Sequence, residues 1–344
     1  MKNNNFFDDL EQSIGGVAAE NIFILTDCNT EKFCLPYLLK YSKLSASKII
    51  VIPGGDENKT IENAACVWKF LSENGATRHS LMLNLGGGMI TDIGGFCAAT
   101  FKRGMNYINL PTTLLGAVDA ATGGKTGVNF LGLKNEIGVF APPQKTLFCV
   151  EFFKTLDAKN LLSGYAEMLK HALLSNKELW RETLNFDLEN TDFEQLSVLL
   201  IKNVAIKENI VAQDPQERGL RKALNLGHTF GHAFETFSYR TARPLLHGYA
   251  VLFVLICELY ISVVKLNFPK EELLKIRYLA KEHYGSFDFS CENYEAFYNL
   301  MTHDKKNETA EINFTLLSAI GDIHINQTAT KNEIFECLDY LREG

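Results

Sequence analysis

The stretch GGGMITDIGGFCAATFKRGMNYINLPTTLLGAVDAATGGKTGVNFLGLKN, residues 86–135, decides the fold of the N-terminal half of the chain. It follows a hydrophobic segment, SLMLNL, that is typical of a buried strand. The glycine triplet lets a ligand approach the backbone closely, and the helix after it presents unpaired N–H groups to an anion. This order predicts a phosphate or pyrophosphate site. A tight turn explains the glycines equally well, and their spacing is not the G-x-G-x-x-G dinucleotide fingerprint, so the stretch alone leaves nucleotide binding open.

The elements on either side of this stretch extend the same pattern. Residues 21–25 (NIFIL) and 48–52 (KIIVI) predict strands, and residues 60–74 predict an amphipathic helix. Strands that alternate with helices indicate a parallel sheet. The N-terminal half is therefore predicted to be a Rossmann-like α/β domain whose last strand covers residues 146–150.

Two polar residues, Asp27 and Asn29, come directly after the first predicted strand. The carboxyl ends of parallel strands face the ligand crevice, so both side chains are candidates for contact with the ribose or base of a nucleotide. Both residue types are also common after strands that bind nothing, and the sequence leaves the two interpretations open.

Helical periodicity dominates from Asp157 onward. The predicted helices cover residues 157–174, 193–211, 225–237, 247–266, 271–283 and 294–302, and a short hairpin is predicted from residues 312–317 and 323–325. We place a domain boundary near residue 155, which gives an α/β domain, 1–155, and a mostly α-helical domain, 156–344. The apolar run 250–264 is shorter than the roughly 20 residues of a membrane span. It also contains Glu258, so a buried core helix is predicted there and no membrane partner.

The composition narrows the class of protein. A length of 344 residues predicts about two domains, and 46% hydrophobic with 22% charged residues is ordinary for a globular protein. The net charge of -7 argues against a nucleic-acid partner, because the phosphate backbone would be repelled. Residues 1–9 lack the basic and apolar regions of a signal peptide, and the eight cysteines show no C-x-x-C spacing. Both features predict a cytoplasmic protein with reduced thiols.

A carboxylate and an ammonium group share one helical face in the segment GYAEMLKH, where Glu167 and Lys170 lie three residues apart. A solvated surface salt bridge is the more common outcome for such a pair. The flanking residues are small or apolar, however, which favours a buried position for both.

Histidines in two segments suggest a metal site. In NLGHTFGH, His228 and His232 are four residues apart and are predicted to share a helical face, and His247 opens another helix. Neutral imidazoles with one carboxylate match a catalytic zinc site that keeps a coordination position open. Thr229 stands where a zincin helix needs glutamate, so that motif is excluded. A single histidine would more often be a core residue, and the metal interpretation depends on several occurring together.

Basic residues are spread through the same motifs at Arg103, Lys125, Lys134, Lys170, Lys207, Arg221, Lys305 and Lys306. Most basic residues of an acidic protein are solvated surface charges. Lys125 lies between Gly124 and Thr126, and Lys134 precedes Asn135, which are positions suited to an anionic substrate with phosphate and carboxylate groups.

Together the motifs GGGMITDIGGFCAATFKRG, INLPTTLLGAVDAATGGKTGVN, GYAEMLKHALL, RKALNLGHTFGHAFE and HGYAV, in this order, closely resemble those of the 3-dehydroquinate synthase family. The resemblance runs from Asp27 to the tract 304–307 and the region of Gly321. It implies a lyase of the shikimate pathway of aromatic amino acid biosynthesis that acts on a sugar phosphate. It also implies a tightly held NAD, a divalent metal that is commonly zinc with cobalt as the alternative, a homodimer, and an active site in the cleft between the domains.

The resemblance also implies roles for individual residues. The metal ligands would be Glu167, His228 and His247. The substrate and catalytic residues would be Asp119, Lys125, Lys134, Asn135, Lys170, Lys207, Arg221, Asn225, His232 and Lys305, with Arg103 reaching the substrate of the neighbouring subunit. NAD would contact Asp27, Asn29, Asp56, Lys59, Gly87, Gly88, Asp92, Thr112, Thr113, Lys125, Lys134 and the segment from Phe152 to Thr155.

Three residues depart from the usual family pattern. Asp56 stands where glutamate is commoner, Leu133 replaces a glycine before Lys134, and Tyr249 follows His247-Gly248 where glutamate is usual. Three other functions are compatible with parts of the pattern. They are a sister sugar-phosphate cyclase acting on another heptulose phosphate, a metal-dependent alcohol dehydrogenase, and a binding or regulatory protein without catalysis.

Overall fold

The computed structural model of the protein describes residues 6–238, 244–302 and 312–343, and for His232 it describes the main chain alone. The chain divides into two compact units, Met1–Asp157 and Ala158–Gly344. Each unit contains its own core, which is built on a sheet in the first unit and on helices in the second.

The first unit is an α/β structure built on a parallel sheet. Its strands are β1 (Ile22–Asp27), β2 (Lys48–Ile52), β3 (Leu81–Gly86), β4 (Asn106–Pro111), β5 (Lys125–Phe130), β6 (Leu133–Phe140) and β7 (Lys145–Thr146). Its helices are α1 (Phe6–Ile14), α2 (Cys28–Phe33), α3 (Leu35–Leu38), α4 (Ile61–Glu73), α5 (Gly88–Thr100) and α6 (Val150–Phe153). Five strands form one parallel sheet in the order β2-β1-β3-β4-β7.

Alternating side chains of the central strands fill two hydrophobic clusters. Phe23 and Leu25 of β1 point into one cluster, whereas Ile22 and Ile24 point into the other. Successive residues of a strand face opposite sides of a sheet, so a continuous hydrophobic run is what a strand buried on both faces requires. The predicted Rossmann-like α/β half is confirmed.

The end of the first unit differs from the sequence prediction in two ways. β5 and β6 form an antiparallel hairpin outside the main sheet, over residues for which no strand was predicted. The last strand, expected over residues 146–150, contains only Lys145–Thr146, and a helix begins at Val150. The chain turns there because Leu147, Cys149 and Phe152 are buried in the core next to the sheet instead of continuing along its edge.

The second unit is mostly helical. Its helices are α7 (Ala158–Leu173), α8 (Lys177–Leu184), α9 (Phe193–Gln213), α10 (Gly231–Ser238), α11 (His247–Leu266), α12 (Lys270–His283), α13 (Tyr294–Thr302) and α14 (Lys331–Glu343). A 3₁₀ helix, Leu220–Asn225, precedes α10. β8 (Asn313–Ala319) and β9 (Asp322–Thr328) pair as an antiparallel hairpin, as predicted.

α11 is the central helix of this unit and packs against α7, α10, α12, α14 and β8. Among the described residues it is the one helix whose length and apolar character would suit a membrane span, and 67% of its most apolar window is buried inside the protein. Its bounds are those predicted for it, residues 247–266. Glu258, in its middle, is buried as well.

Candidate active site

Three potential metal ligands meet in the second unit. Glu167 lies on α7, His228 lies in the turn after the 3₁₀ helix, and His247 is the first residue of α11. Glu167 Oε1 is 3.4 Å from His228 Nε2 and 3.3 Å from His247 Nε2. One donor atom from each of the three side chains lies within 4.8 Å of the others.

The local structure around His228 is not the predicted one. A helix was expected over residues 225–237, with His228 and His232 on one face, but α10 begins only at Gly231. The 3₁₀ helix ends at Asn225, Leu226 leaves the helical conformation with ψ 130°, and Gly227, with φ +78°, turns the chain before His228. The two histidines therefore do not share a helical face. The side chain of His232 lies outside the described residues.

These donors fit a divalent metal. Zinc bonds of about 2.0 to 2.2 Å in a tetrahedral arrangement separate neighbouring donor atoms by about 3.3 to 3.6 Å. The separations of 3.4 and 3.3 Å from Glu167 fall in that range. Two imidazoles and a carboxylate also leave a fourth position for a substrate oxygen, as in catalytic zinc sites.

Both imidazoles are oriented by acceptors on their other nitrogen. His247 Nδ1 lies 2.5 Å from Glu235 Oε1, and His228 Nδ1 lies 3.1 Å from the Leu226 carbonyl oxygen. An Nδ1–H that donates to these oxygens leaves the Nε2 lone pair for a metal. Sequence reasoning did not identify Glu235. Its position in the HAFE segment beside His232 was visible, but its contact with a residue twelve positions away was not.

Burial and neighbouring charged groups set the protonation states of Glu167, His228 and His247. Burial raises the pKa of Glu167, but Lys170 and His228 outweigh it and hold that pKa well below its usual value. Burial, helped by the charge of Lys170, lowers the pKa of His228 to about 4. Burial also opposes charge on His247, yet hydrogen bonds to Glu167 and Glu235 raise its pKa to about 10. Glu167 and His228 therefore already have the forms that bind metals, while His247 must release a proton.

Three cationic side chains predicted to bind an anionic substrate are buried in this unit. Lys170, on α7, is 1% exposed with its Nζ 2.5 Å from Glu167 Oε2, so the expected buried position of this pair is confirmed. Lys207, on α9, and Arg221, in the 3₁₀ helix, are buried too. α9 packs against both α7 and the 3₁₀ helix. Asn225 ends that helix, and its carbonyl oxygen accepts the N–H of His228.

In the first unit, the residues predicted to contact NAD follow the carboxyl ends of the parallel strands. β1 ends at Asp27 itself. β3 ends at Gly86, directly before Gly87, and β4 ends at Pro111, directly before Thr112. Ligands of open α/β sheets bind at this edge. Asp27 also caps α2 by accepting the N–H groups of Asn29 and Thr30, so a structural role accompanies any contact with a nucleotide.

Neighbouring loops meet closely at this edge. A Cβ added to Gly54, after β2, would lie 3.4 Å from Asp27 Oδ1 and 3.5 Å from Asn29 Nδ2. A Cβ added to Gly87 would lie 3.1 Å from the Thr113 side chain. The loop after β2 therefore lies against the predicted residues Asp27 and Asn29 after β1, and the predicted residues Gly87 and Thr113 after β3 and β4 lie together.

A network centred on Lys59 joins four further predicted residues. The Lys59 ammonium lies 3.0 Å from Asp92, 3.4 Å from Asp56 and 2.6 Å from Asn135 Oδ1, and Lys134 lies 3.3 Å from Asp56. Asp92 is in the second turn of α5 and not in the first.

Asn129 holds this network together and was not predicted. Its side-chain amide donates to the Asp56 carbonyl oxygen at 2.9 Å, and its Oδ1 accepts the N–H of Asn135 at 2.9 Å. Its own N–H donates to the Lys59 carbonyl oxygen at 2.7 Å. Asn129 thereby attaches the β5-β6 hairpin to the segment that carries Asp56 and Lys59.

The remaining predicted residues of the first unit are more scattered. The Phe152 side chain is buried in the hydrophobic core, edge-on to Phe6 and Tyr37, whereas Thr155 is exposed. Lys125 is exposed at the start of β5, and Asp119 is half-buried in a π-helical turn, Gly116–Ala120.

Arg103 occupies a strained segment. Lys102 and Arg103 have φ values of +49° and +66°, and Gly104 follows with φ +116°. Consecutive left-handed residues other than glycine are uncommon and cost conformational energy. Arg103 is exposed and lines a surface pocket together with Arg78 and His79.

The three residues that depart from the family pattern differ in their environments. Asp56 forms the ion pairs described above, and Leu133 is exposed at the start of β6. The Tyr249 ring packs edge-on against Tyr284, with ring centres 4.8 Å apart. Lys305 and the tract 304–307 lie outside the described residues.

Comparisons with known proteins agree with this organisation. Residues 49–163 match the family model described as 3-dehydroquinate synthase N-terminal, and residues 164–307 match 3-dehydroquinate synthase C-terminal. A 3-dehydroquinate synthase of Parabacteroides distasonis is 49% identical over 336 residues, which cover 98% of this chain and 95% of that protein.

Solved structures show the same fold. ValA, a 2-epi-5-epi-valiolone synthase of Streptomyces hygroscopicus determined with NAD+ and Zn2+ bound, has a TM-score of 0.82 and 26% identity, covering 93% of this chain and 90% of its own. A putative alcohol dehydrogenase of Ralstonia eutropha has a TM-score of 0.63 and 15% identity, covering 99% of this chain and 94% of its own, and shows the fold alone.

The fold and the three-ligand cluster define a sugar-phosphate cyclase. Within this class the full-length identity and both family models are decisive. The chain belongs to the 3-dehydroquinate synthase family and is an enzyme of that kind, so the other cyclases and the alcohol dehydrogenases are not favoured.

Proposed function

We propose that this enzyme converts 3-deoxy-D-arabino-heptulosonate 7-phosphate to 3-dehydroquinate and phosphate in the shikimate pathway, with NAD restored in every turnover. The observation that carries the proposal is the cluster of Glu167, His228 and His247 in a chain of this family. We further propose that residues 1–155 bind NAD and residues 156–344 bind the metal, zinc or alternatively cobalt.

Both cofactors would supply chemistry that side chains lack. When bound, the metal polarises a substrate hydroxyl and NAD takes up and returns a hydride, so a transient ketone acidifies the neighbouring C–H bond. The protein must then position the anionic substrate for phosphate elimination, ring opening and an intramolecular aldol closure.

Buried cations suit that positioning role. Lys170, Lys207 and Arg221 would stabilise the phosphate and carboxylate electrostatically, because a charge in a buried site is screened less than in water. His232 would relay a proton or hydrogen-bond a substrate hydroxyl. We propose that Asp119, Lys125, Lys134, Asn135, Asn225 and Lys305 complete the substrate and catalytic set.

The strand ends would hold NAD. The pyrophosphate would lie at the N-terminus of α5 beside Gly87 and Gly88, where backbone N–H groups favour an anion. We propose that Asp27, Asn29, Asp56, Lys59, Asp92, Thr112, Thr113, Lys125, Lys134 and the main chain from Phe152 to Thr155 make the other contacts.

The direct test measures phosphate release from the heptulosonate phosphate with substoichiometric NAD and zinc. Many turnovers for each NAD, with no net NADH, are expected. Stoichiometric NADH would instead indicate a dehydrogenase, and no phosphate release would refute the proposal.

A matched pair of lysines on α9 makes the test specific. Lys207→Ala should lower kcat/KM by about a hundredfold or more, because the loss of a buried charged contact to the substrate costs about 3 kcal/mol. Lys202→Ala removes an exposed lysine of the same helix, which pairs with Glu182, and should leave kcat/KM unchanged. Equal effects of the two variants would exclude a substrate role for Lys207.

We also propose a cytoplasmic homodimer in which Arg103 serves the partner's substrate. Arg103→Ala and Lys207→Ala should each be nearly inactive. A mixture of the two, dissociated and reassembled, should regain up to about a quarter of wild-type activity, since half of the molecules carry one intact site. No recovery in reassembled mixed dimers would contradict the shared site.

A further inference from the structure

The turn that carries His228 is attached to α11 by a buried carboxylate. Glu258 Oε2 accepts the N–H of Gly227 at 2.5 Å, and Glu258 Oε1 accepts the N–H of Thr229 at 3.2 Å. The two donors flank His228 on both sides. Glu258 is 0% exposed.

Apolar contacts on the same face of α11 support the turn. A Cβ added to Gly227 would lie 3.0 Å from Leu255 and 3.1 Å from Val251. Val251, Leu255 and Glu258 are spaced at four and three residues, so they form one stripe along the helix. The turn therefore rests on α11 through van der Waals contact as well as through the carboxylate.

Burying a carboxylate is expensive unless hydrogen bonds to its oxygens repay the loss of water. Backbone N–H donors to a charged acceptor form strong hydrogen bonds with fixed geometry. The Leu226 carbonyl of the same turn orients the His228 ring. The peptide group between Leu226 and Gly227 thus binds Glu258 through its N–H and the imidazole through its carbonyl oxygen, and Glu258 also holds the peptide group between His228 and Thr229.

We propose that Glu258 is a positioning residue for the metal site, which holds the main chain of His228 so that Nε2 faces Glu167. α11 then supplies one ligand, His247, as its first residue. Through Glu258, eleven residues later in the same helix, it also fixes the second ligand, His228. This inference rests on the proposed metal site and adds to it a residue that touches neither metal nor substrate.

The test compares zinc affinity, measured by chelator competition, with the thermal stability of the metal-free protein. Glu258→Gln replaces one carboxylate oxygen by an NH₂ group, which cannot accept a backbone N–H. We expect the zinc dissociation constant to rise at least about tenfold. The absorption spectrum of the Co2+-substituted protein should also change, because the donor geometry changes.

Ser262→Ala is the matched control. Ser262 lies one turn further along α11 and is equally buried, and its hydroxyl donates to the Glu258 carbonyl and accepts the Leu317 N–H. This variant should lower the melting temperature without changing zinc affinity or the cobalt spectrum. If Glu258→Gln behaves in the same way, Glu258 is merely structural and the inference is wrong.

Two further variants cover the cases in which Glu258→Gln does not fold or the proposed metal site is wrong. If Glu258→Gln does not fold, Glu258→Asp decides, because it keeps the buried charge but is too short to reach both N–H groups. A folded aspartate variant with wild-type zinc affinity would overturn the inference. Glu167→Gln, which removes a proposed ligand, should bind zinc far more weakly. If Glu167→Gln binds zinc as tightly as the wild type, the proposed metal site is wrong and this inference is wrong with it. If Glu167→Gln loses zinc affinity but the Glu258 variants do not, only the role of Glu258 is overturned.

Discussion

Glu235 Oε1 lies 2.5 Å from the Nδ1 atom of His247, on the side of the ring opposite to Glu167. A carboxylate in this position fixes the tautomer of a metal-binding histidine and raises its basicity. We predict that Glu235→Gln weakens zinc binding by about 10- to 100-fold. Glu272→Gln removes the charge that pairs with Lys275 and keeps an oxygen that can accept the Trp180 indole N–H, so it should leave zinc affinity unchanged. Calorimetric zinc titration of both variants checks this, and equal affinities would refute the role of Glu235.

Removing the metal should destabilise the second unit. The buried Glu167 carboxylate would retain only protein partners, and a ligand that binds the folded state alone stabilises it by mass action. At a free zinc concentration 100 times the dissociation constant, we expect about 2.7 kcal/mol of stabilisation. Thermal unfolding with zinc and with chelator measures the difference. In Glu167→Gln the two melting curves should coincide, and a zinc effect that persists there would place the ion elsewhere.

Gly248 permits the close crossing of α7 and α11. A Cβ at this residue would lie 1.8 Å from the Ser163 carbonyl oxygen, and the Gly248 N–H donates to Ser163 Oγ at 3.0 Å. Gly248→Ala should therefore cost about 3 kcal/mol or more of unfolding free energy, since neither backbone can move freely. Gly231→Ala, where a Cβ meets nothing within 4 Å, should change stability by less than about 1 kcal/mol. Urea denaturation compares them, and similar midpoints would contradict the tight crossing.

Asn129 should control NAD binding without touching NAD. Asn129→Ala removes the two side-chain hydrogen bonds that join the β5-β6 hairpin to the segment with Asp56. Each such bond contributes about 1 kcal/mol, so we expect roughly tenfold weaker NAD binding. Asn74→Ala, at the C-terminus of α4, loses a hydrogen bond to Phe70 and should bind NAD normally. Calorimetric NAD titration decides, and unchanged affinity in Asn129→Ala would show that the hairpin needs no such anchor.

Asp92 gives the first unit a pH-dependent stability. Burial raises its pKa from 3.8 to about 6, although Lys59 opposes the shift. Between these values the folded state binds more protons than the unfolded state, so the contribution of Asp92 to the unfolding free energy falls as the pH rises from about 4 to 6. The fall should be on the order of 2 kcal/mol, and Asp92→Asn should abolish it.

Denaturation of the NAD-free protein at several pH values measures this slope. Asp187→Asn is the control, because hydrogen bonds from the backbone N–H and the side chain of Asn190 lower the pKa of that exposed carboxyl, so it titrates below the same range. A slope that is the same in the wild type and in Asp92→Asn would contradict the raised pKa.

The sequence was most informative where local pattern and burial agree. The hydrophobic runs of β1 and β3 are buried on both faces, and the helical period of α11 matches its interior position, so both predictions were correct. The β5-β6 hairpin was missed because β6 is mostly exposed and shows no alternation of apolar residues. Helix α8 and the terminal helices α1 and α14 were also not predicted.

Within the candidate site, residue types were easier to predict than their geometry. Glu167, His228 and His247 meet as a cluster, but the helix predicted through His228 was wrong, because Gly227 interrupts a segment that is otherwise helical in pattern. Glu235, Glu258 and Asn129 act through residues distant in the chain. Such contacts arise from tertiary packing, which no local periodicity records.

The close contact of Gly248 with Ser163 also fixes the point about which α11 can tilt. His247 is next to the crossing, whereas the residues that hold the turn of His228 lie three to ten residues beyond Gly248, about 5 to 15 Å at the rise of an α-helix. A tilt of α11 by a few degrees about that contact would hardly displace His247 but would carry the turn of His228 by up to about 1 Å. On gradual heating of the metal-bound protein, we therefore expect the bond between His228 and the metal to loosen first and the bond between His247 and the metal to persist longest.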